Sequence, residues 1–252
     1  MINMDVRKAV IEKLEEFKEN YKPETVEINL KNISLNEYID HTNLKPTATT
    51  AEIETLCKEA LDYKFKGVCV NPSFVPLVAQ RLKDSQVLTV TVIGFPLGAT
   101  STYAKVEETK WAVENGAQEV DMVIHIGKLK EGDYEYVYND IKSVVEVAKV
   151  PVKVIIETCF LTDEEKIAAC ILSRLAGAAF VKTSTGFGTG GAKFEDVQLM
   201  RWAVEGKIEV KASGGVRTYE DAIKMLTAGA TRIGTSSGVA IVTNKVPGQG
   251  GY

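Results

Sequence analysis

Histidine is nearly absent. His41 and His125 are the only two among 252 residues, so a histidine-rich metal site is excluded and no metal or other cofactor is expected. Cysteine is scarce too: Cys57, Cys69, Cys159 and Cys170 contain no Cys-x-x-Cys pair, and two of them fall on apolar helix faces. That pattern reads as free thiols in a reducing compartment rather than a disulfide framework. No apolar run approaches the roughly eighteen residues that a membrane span requires. The start, Met1-Ile-Asn-Met-Asp-Val-Arg7, lacks the apolar centre of a signal peptide. The formal net charge of -4 lacks the basic excess that a nucleic-acid partner calls for. Together these absences predict a cytoplasmic protein with no membrane and no nucleic-acid partner; a local site for a small phosphate stays open.

What is present is a long alternation of short β-rich and helical runs. Strands are predicted at 38–42, 67–70, 87–94, 119–126, 152–157, 179–183, 208–212 and 232–235. A helix over 3–19 places Val6, Ala9, Val10, Leu14 and Phe17 on one face, and one over 51–63 aligns Ile53, Leu56, Cys57, Ala60 and Leu61. Thr162-Asp-Glu-Glu165 is a capping box whose helix runs to 176 before Gly177, and Thr218-Tyr-Glu-Asp221 is a second with Asp in the Glu position, its helix stopping near Gly229. Eight βα units favour a closed barrel over an open sheet. The predicted fold class is therefore α/β: a single-domain TIM (β/α)8 barrel over 36–242, with an N-terminal helical extension (1–35) and a flexible C-terminal tail (243–252).

Three lysines interrupt predicted strands: Lys153, Lys182 and Lys211, spaced by 29 residues each time. The equal spacing of one βα unit predicts equivalent positions in successive strands. Alternate strand residues share a face, so Lys153 goes with Ile155 and Glu157, Lys182 with Phe180 and Ser184, and Lys211 with Glu209 and Ser213. A buried ammonium is costly and tends to lose its proton or find a partner. A neutral lysine amine attacks carbonyl carbon, and a second ammonium nearby helps keep it neutral. Lysines converging at a barrel's C-terminal rim thus point to Schiff-base chemistry, without deciding which one is the nucleophile; the alternative is three outward-facing lysines in water.

Asp121, in the middle of a Val/Ile strand, is expected to pair with an ammonium or relay protons through water. Asp40, ending the first strand, orients a lysine or a substrate hydroxyl, or merely forms a turn. Cys69 faces inward on strand two without a base beside it and is read as pocket lining. His41 alternates away from Asp40, and His125 falls beyond the pocket; both read as structural. Gly186-Phe-Gly-Thr-Gly-Gly191 formally matches G-x-G-x-x-G, but it follows the sixth strand rather than opening a first βαβ unit. A phosphate-binding role fits better there, and better still at Gly214 and Gly215 after strand seven with Ser236 and Ser237 after strand eight.

From about residue 34 to 242 the chain resembles the deoxyribose-phosphate aldolases. The resemblance runs through Asp40-His-Thr-Asn-Leu-Lys-Pro46, Gly67-Val-Cys-Val-Asn-Pro72, Val92-Ile-Gly-Phe-Pro-Leu-Gly98, Glu119-Val-Asp-Met-Val-Ile124, Lys153-Val-Ile-Ile-Glu-Thr158, Phe180-Val-Lys-Thr-Ser-Thr-Gly186, Lys211-Ala-Ser-Gly-Gly-Val-Arg-Thr218 and Arg232-Ile-Gly-Thr-Ser-Ser237. It implies a metal-independent class I aldolase that reversibly splits 2-deoxy-D-ribose 5-phosphate into D-glyceraldehyde 3-phosphate and acetaldehyde. It implies that Lys182 forms the Schiff base, that Lys211 lowers the pKa of that amine and takes part in proton transfer, and that Asp121 shuttles protons with water. Lys153 and Asp40 support the polar cluster, Thr42, Cys69 and Thr183 line the pocket, and Gly186, Gly214, Gly215, Ser236 and Ser237 match the phosphate region. Its partners are a small phosphosugar and aldehydes; a homo-oligomer is compatible with it.

One departure stands out: Phe187 occupies a position where some relatives carry lysine, which removes a charge from the phosphate region. The tail ends in Tyr252 behind Gly248, Gly250 and Gly251, a candidate proton relay over the barrel mouth whose alternative is an idle terminus. The rival readings are a transaldolase-like Schiff-base enzyme with a larger keto-sugar donor, a non-catalytic phosphosugar-binding protein, and a dinucleotide oxidoreductase.

Overall fold

The computed structural model describes residues 5–30 and 33–244. The chain runs α1 (Val6–Asn20), β1 (Ile39–Asn43), α2 (Thr50–Tyr63), β2 (Gly67–Val70), α3 (Val75–Arg81) and β3 (Leu88–Ile93). It continues with α4 (Thr102–Glu114), β4 (Glu119–Val123), α5 (Ile126–Lys130), α6 (Tyr134–Ala148), β5 (Val152–Ile155) and α7 (Asp163–Leu175). It closes with β6 (Phe180–Lys182), α8 (Phe194–Val204), β7 (Glu209–Ser213), α9 (Tyr219–Ala228), β8 (Arg232–Thr235) and α10 (Gly238–Thr243). All eight strands are parallel and β8 pairs with β1, so the sheet closes into the predicted (β/α)8 barrel. Among the described residues no helix is long and apolar enough to cross a membrane.

Local sequence sets the helix starts. Thr162 and Glu165 bond reciprocally in front of α7, and Thr218 and Asp221 do the same before α9, each satisfying orphan N–H groups of a first turn. Gly229, at φ 109°, ends α9 in the left-handed conformation that glycine adopts without a Cβ penalty. Helix α1 lies across α6 and α7. Its predicted face is the one that packs, with Val6 and Val10 buried and Ala9, Leu14 and Phe17 against the same core.

Two strands end earlier than their composition predicts. After β4, Ile124 still donates to Ile155 O, but His125 then caps α5 by accepting Lys128 N–H. After β5, Glu157 takes φ 57°, which breaks the alternation that was to align it with Lys153 and Ile155.

The equal lysine spacing also misleads about level. Lys182 pairs in register with Lys211, but Lys153 pairs with Phe180, two residues below Lys182. A closed barrel needs its strands staggered, and here the β5–β6 register differs from the β6–β7 register, so identical spacing gives different heights.

The interior is divided. On the β1–β3 side Leu44, Cys69, Val90 and Val92 form a small apolar cluster of their own. The β4–β8 side, together with Asp40 of β1, is charged. The main apolar core lies outside the barrel, between sheet and helices.

Candidate active site

Four cations and three carboxylates meet inside the barrel. Asp121, fully buried on β4, accepts from Lys153 Nζ at 2.9 Å on Oδ1, and from Lys182 Nζ at 2.8 Å and Lys211 Nζ at 2.9 Å on Oδ2. Lys153 also pairs with Glu119 at 2.5 Å. Lys211 also donates to Asp40 Oδ2. Arg232 donates to Asp40 Oδ1 at 2.9 Å and to both oxygens of Glu119 at 2.8 and 3.2 Å. Gly234 makes room for this: a Cβ there would stand 3.1 Å from Lys211 Cε.

The cluster carries one more positive than negative charge. Burial alone would raise the Asp121 carboxyl, but Lys153, Lys182 and Lys211 together hold it well below the usual carboxylate range. Burial likewise opposes the ionised Asp40, yet Lys211, Arg232 and Lys153 bring it down to about 2. Burial works against the charge on Lys211 as well; Asp121 and then Asp40 outweigh it and keep its ammonium above the ordinary lysine range. Lys211 is therefore a fixed positive charge. It shares one carboxylate oxygen with Lys182, which puts the two nitrogens within about 6 Å of each other, the range in which like charges act strongly.

Lys182 differs from its neighbours. Lys153 and Lys211 each have two carboxylate partners and no exposure, whereas Lys182 has one, shared, and retains 3 % exposure. Cys69 lines the opposite wall; burial first, and Asp121 next, push its thiol up to about 11, so it stays protonated and apolar at neutral pH.

An acid titration reads Asp40. Its folded value lies below its ordinary 3.8, so its stabilisation is complete above about pH 4, shrinks below that and is gone once pH falls through about 2. The difference in urea midpoint between the parent and Asp40→Asn is expected to narrow over that window. A difference that stays constant down to pH 2 contradicts this assignment.

The remaining predicted residues sit at or just beyond the C-terminal ends of their strands. Thr42 Oγ1 donates to Asp40 O at 2.8 Å; Thr42 and Ser236 also border a separate cavity of about 230 Å³ on the α2 side of β1, which they share with His41, Glu52 and Glu59. Thr183 joins β6 to β7: its hydroxyl donates to Ser213 O at 3.0 Å and accepts Ser213 N–H at 3.1 Å. Gly186, Gly214 and Gly215 all have positive φ, and Gly214 packs directly on Gly191. Thr235 Oγ1 donates to Val216 O and accepts Ser237 N–H, tying the loop after β7 to the loop after β8. His41 points out of the barrel to Glu59, at 2.6 Å. Tyr252 lies outside the described residues. Among those residues, no group of three His, Cys, Asp or Glu side chains is placed to hold a metal ion.

Glu119 and Arg232 were not singled out from the sequence, yet both belong to the network. The available clue was alternation: each sits two residues before an inward-facing position, Asp121 and Gly234, so each shares that inward face.

A parallel (β/α)8 barrel with a buried lysine–carboxylate cluster in its interior is the architecture of an enzyme class suited to amine chemistry on carbonyls. The model of the DeoC/LacD family aldolases matches residues 35–244, and the chain belongs to that family. It is 65% identical over 218 residues to the deoxyribose-phosphate aldolase of Carboxydothermus hydrogenoformans, covering 84% of this chain and 96% of that one. It is 55% identical to the deoxyribose-phosphate aldolase of Thermotoga maritima over the full length of both. The tetrameric deoxyribose phosphate aldolase of Aeropyrum pernix superposes with a TM-score of 0.80 at 32% identity, covering 95% of this chain and 96% of that one.

Proposed function

We infer that this protein is a class I lyase that reversibly cleaves 2-deoxy-D-ribose 5-phosphate to D-glyceraldehyde 3-phosphate and acetaldehyde. The observation that carries the catalytic assignment is the charge balance around Lys182. The cluster holds four cations against three carboxylates, and among its three lysines Lys182 has the least compensation and the most exposure. Giving up the Lys182 proton balances the charges and leaves a free amine.

The steps follow from that balance. In synthesis the Lys182 amine adds to acetaldehyde, and the carbinolamine takes up a proton from solvent and loses water, forming an iminium that restores the surplus positive charge. The surplus favours loss of a methyl proton, taken up by Asp121 or a water it holds, and the enamine that results is neutral. The enamine carbon then attacks the aldehyde carbon of glyceraldehyde 3-phosphate. The new alkoxide takes back the proton that Asp121 accepted, relayed through Lys211 or water so that both end in their starting charge states, and hydrolysis of the iminium releases the product. Lys153 and Asp40 hold Asp121 and Lys211 in place.

Gly186, Gly214, Gly215, Ser236 and Ser237 take the phosphate by backbone N–H and hydroxyl donors. Phe187, edge-on to Phe95 with ring centroids 5.4 Å apart, supplies an apolar wall where a cation would strengthen phosphate binding. The tetramer of the Aeropyrum pernix relative supports a homo-oligomer here. The free cysteines support a cytoplasmic location.

Borohydride reduction in the presence of acetaldehyde tests the reading. A two-carbon ethyl group is expected on Lys182. A label on Lys153 or Lys211, or no label, overturns the assignment.

A further inference from the structure

We propose that Glu157 is a positioning residue for the loop between β6 and α8, and that it orients the phosphate-binding end of that loop through Thr185. The proposal rests on the aldolase reading above. Glu157 is 2 % exposed and holds φ 57°, ψ 67°, a left-handed conformation that non-glycine residues seldom adopt and that persists only where its surroundings enforce it.

Its carboxylate faces the β6 loop. Oε1 accepts Thr185 N–H at 3.1 Å, Oε2 accepts the Thr185 hydroxyl, and that hydroxyl oxygen accepts Phe187 N–H at 3.0 Å. Gly186 is thereby held between two residues that both answer to Glu157. The loop also lies directly on this carboxylate: a Cβ at Gly188 would stand 2.8 Å from Cys159 Sγ and 3.2 Å from Glu157 Cδ.

On its far side the loop is pinned to the β7 loop, where Ala192 N–H donates to Gly214 O at 2.9 Å. Between these anchors stand Gly186, Gly188, Gly190 and Gly191, which have no side chains to fix the backbone. A carboxylate beside an anion site is electrostatically unfavourable. Its presence is accounted for by the two loop donors that occupy both of its oxygens.

Glu157 makes no hydrogen bond to Lys182 or Asp121, so the donor half of the reaction is independent of it. In Glu157→Gln, the KM for 2-deoxyribose 5-phosphate is expected to rise roughly tenfold, and in Glu157→Ala further, with inhibition by inorganic phosphate weakening in parallel. The KM for unphosphorylated deoxyribose, and exchange of acetaldehyde methyl protons with heavy water, are expected to stay at the parent level. Equal losses on phosphorylated and unphosphorylated substrates overturn the proposal, as do an unchanged KM and unchanged phosphate inhibition in both variants. Should Glu157→Ala fail to fold, the near-isosteric Glu157→Gln decides alone. If the parent enzyme itself fails to exchange methyl protons or to be trapped at Lys182, it is the aldolase reading that falls.

Discussion

Replacing Lys211 by leucine is expected to cut turnover at neutral pH by roughly a hundredfold or more while leaving the barrel folded. The substitution removes one of the four cations, so three remain for three carboxylates and Lys182 is then held as a matched ammonium. Asp40 keeps Arg232 and Asp121 keeps Lys153 and Lys182, so no carboxylate is stranded, which is the event that makes broken buried pairs so damaging. Activity is expected to return toward alkaline pH, so that the pH–rate profile no longer superposes on the parent's. A profile that superposes on the parent's removes Lys211 from this role.

Asp121→Asn tests the opposite imbalance. Four cations then face two carboxylates; Lys153 keeps Glu119 and Lys211 keeps Asp40, but Lys182 loses its carboxylate. The free amine is favoured even more, so borohydride trapping at Lys182 is expected to persist at neutral pH. Methyl-proton exchange in heavy water is expected to fall by roughly two to four orders of magnitude, the usual contribution of a positioned general base. Exchange at the parent rate leaves Asp121 a structural counter-charge only. The two variants thus separate amine availability from proton transfer, which a single inactive variant cannot do.

The barrel was legible because eight β-rich runs alternate with helices that announce their own starts, as at Thr162 and Thr218. Lys182, Lys211 and Asp121 were legible because a charge inside a Val/Ile strand has few stable settings. Their relative heights were not: the 29-residue interval counts helix and loop residues as well as strand, while stagger is set only when the sheet closes. Glu119 and Arg232 were hidden by their place at strand starts, where charge ordinarily meets solvent; here both are 5 % exposed. Glu157 was hidden for another reason. Alternation assigns its side chain to the inward face, and only the left-handed turn at that residue redirects it to the β6 loop.

The floor of the barrel gives the chamber a direction. Arg232, bonded to Glu119 and lying over the Phe180 ring at 5.2 Å, closes the end opposite the rim, and Lys153 lies above the same ring. On the reading proposed above, substrate therefore reaches Lys182 from the rim. If the two-carbon donor is held covalently on Lys182 and the phosphosugar fragment lies nearer the rim, as proposed, traffic is expected to be sequential. In cleavage the phosphorylated fragment is then expected to depart first and acetaldehyde last, and in synthesis acetaldehyde is expected to enter first. Protons exchanged with solvent are expected to share that route, so re-protonation of the resting enzyme is expected to follow release of the phosphorylated fragment.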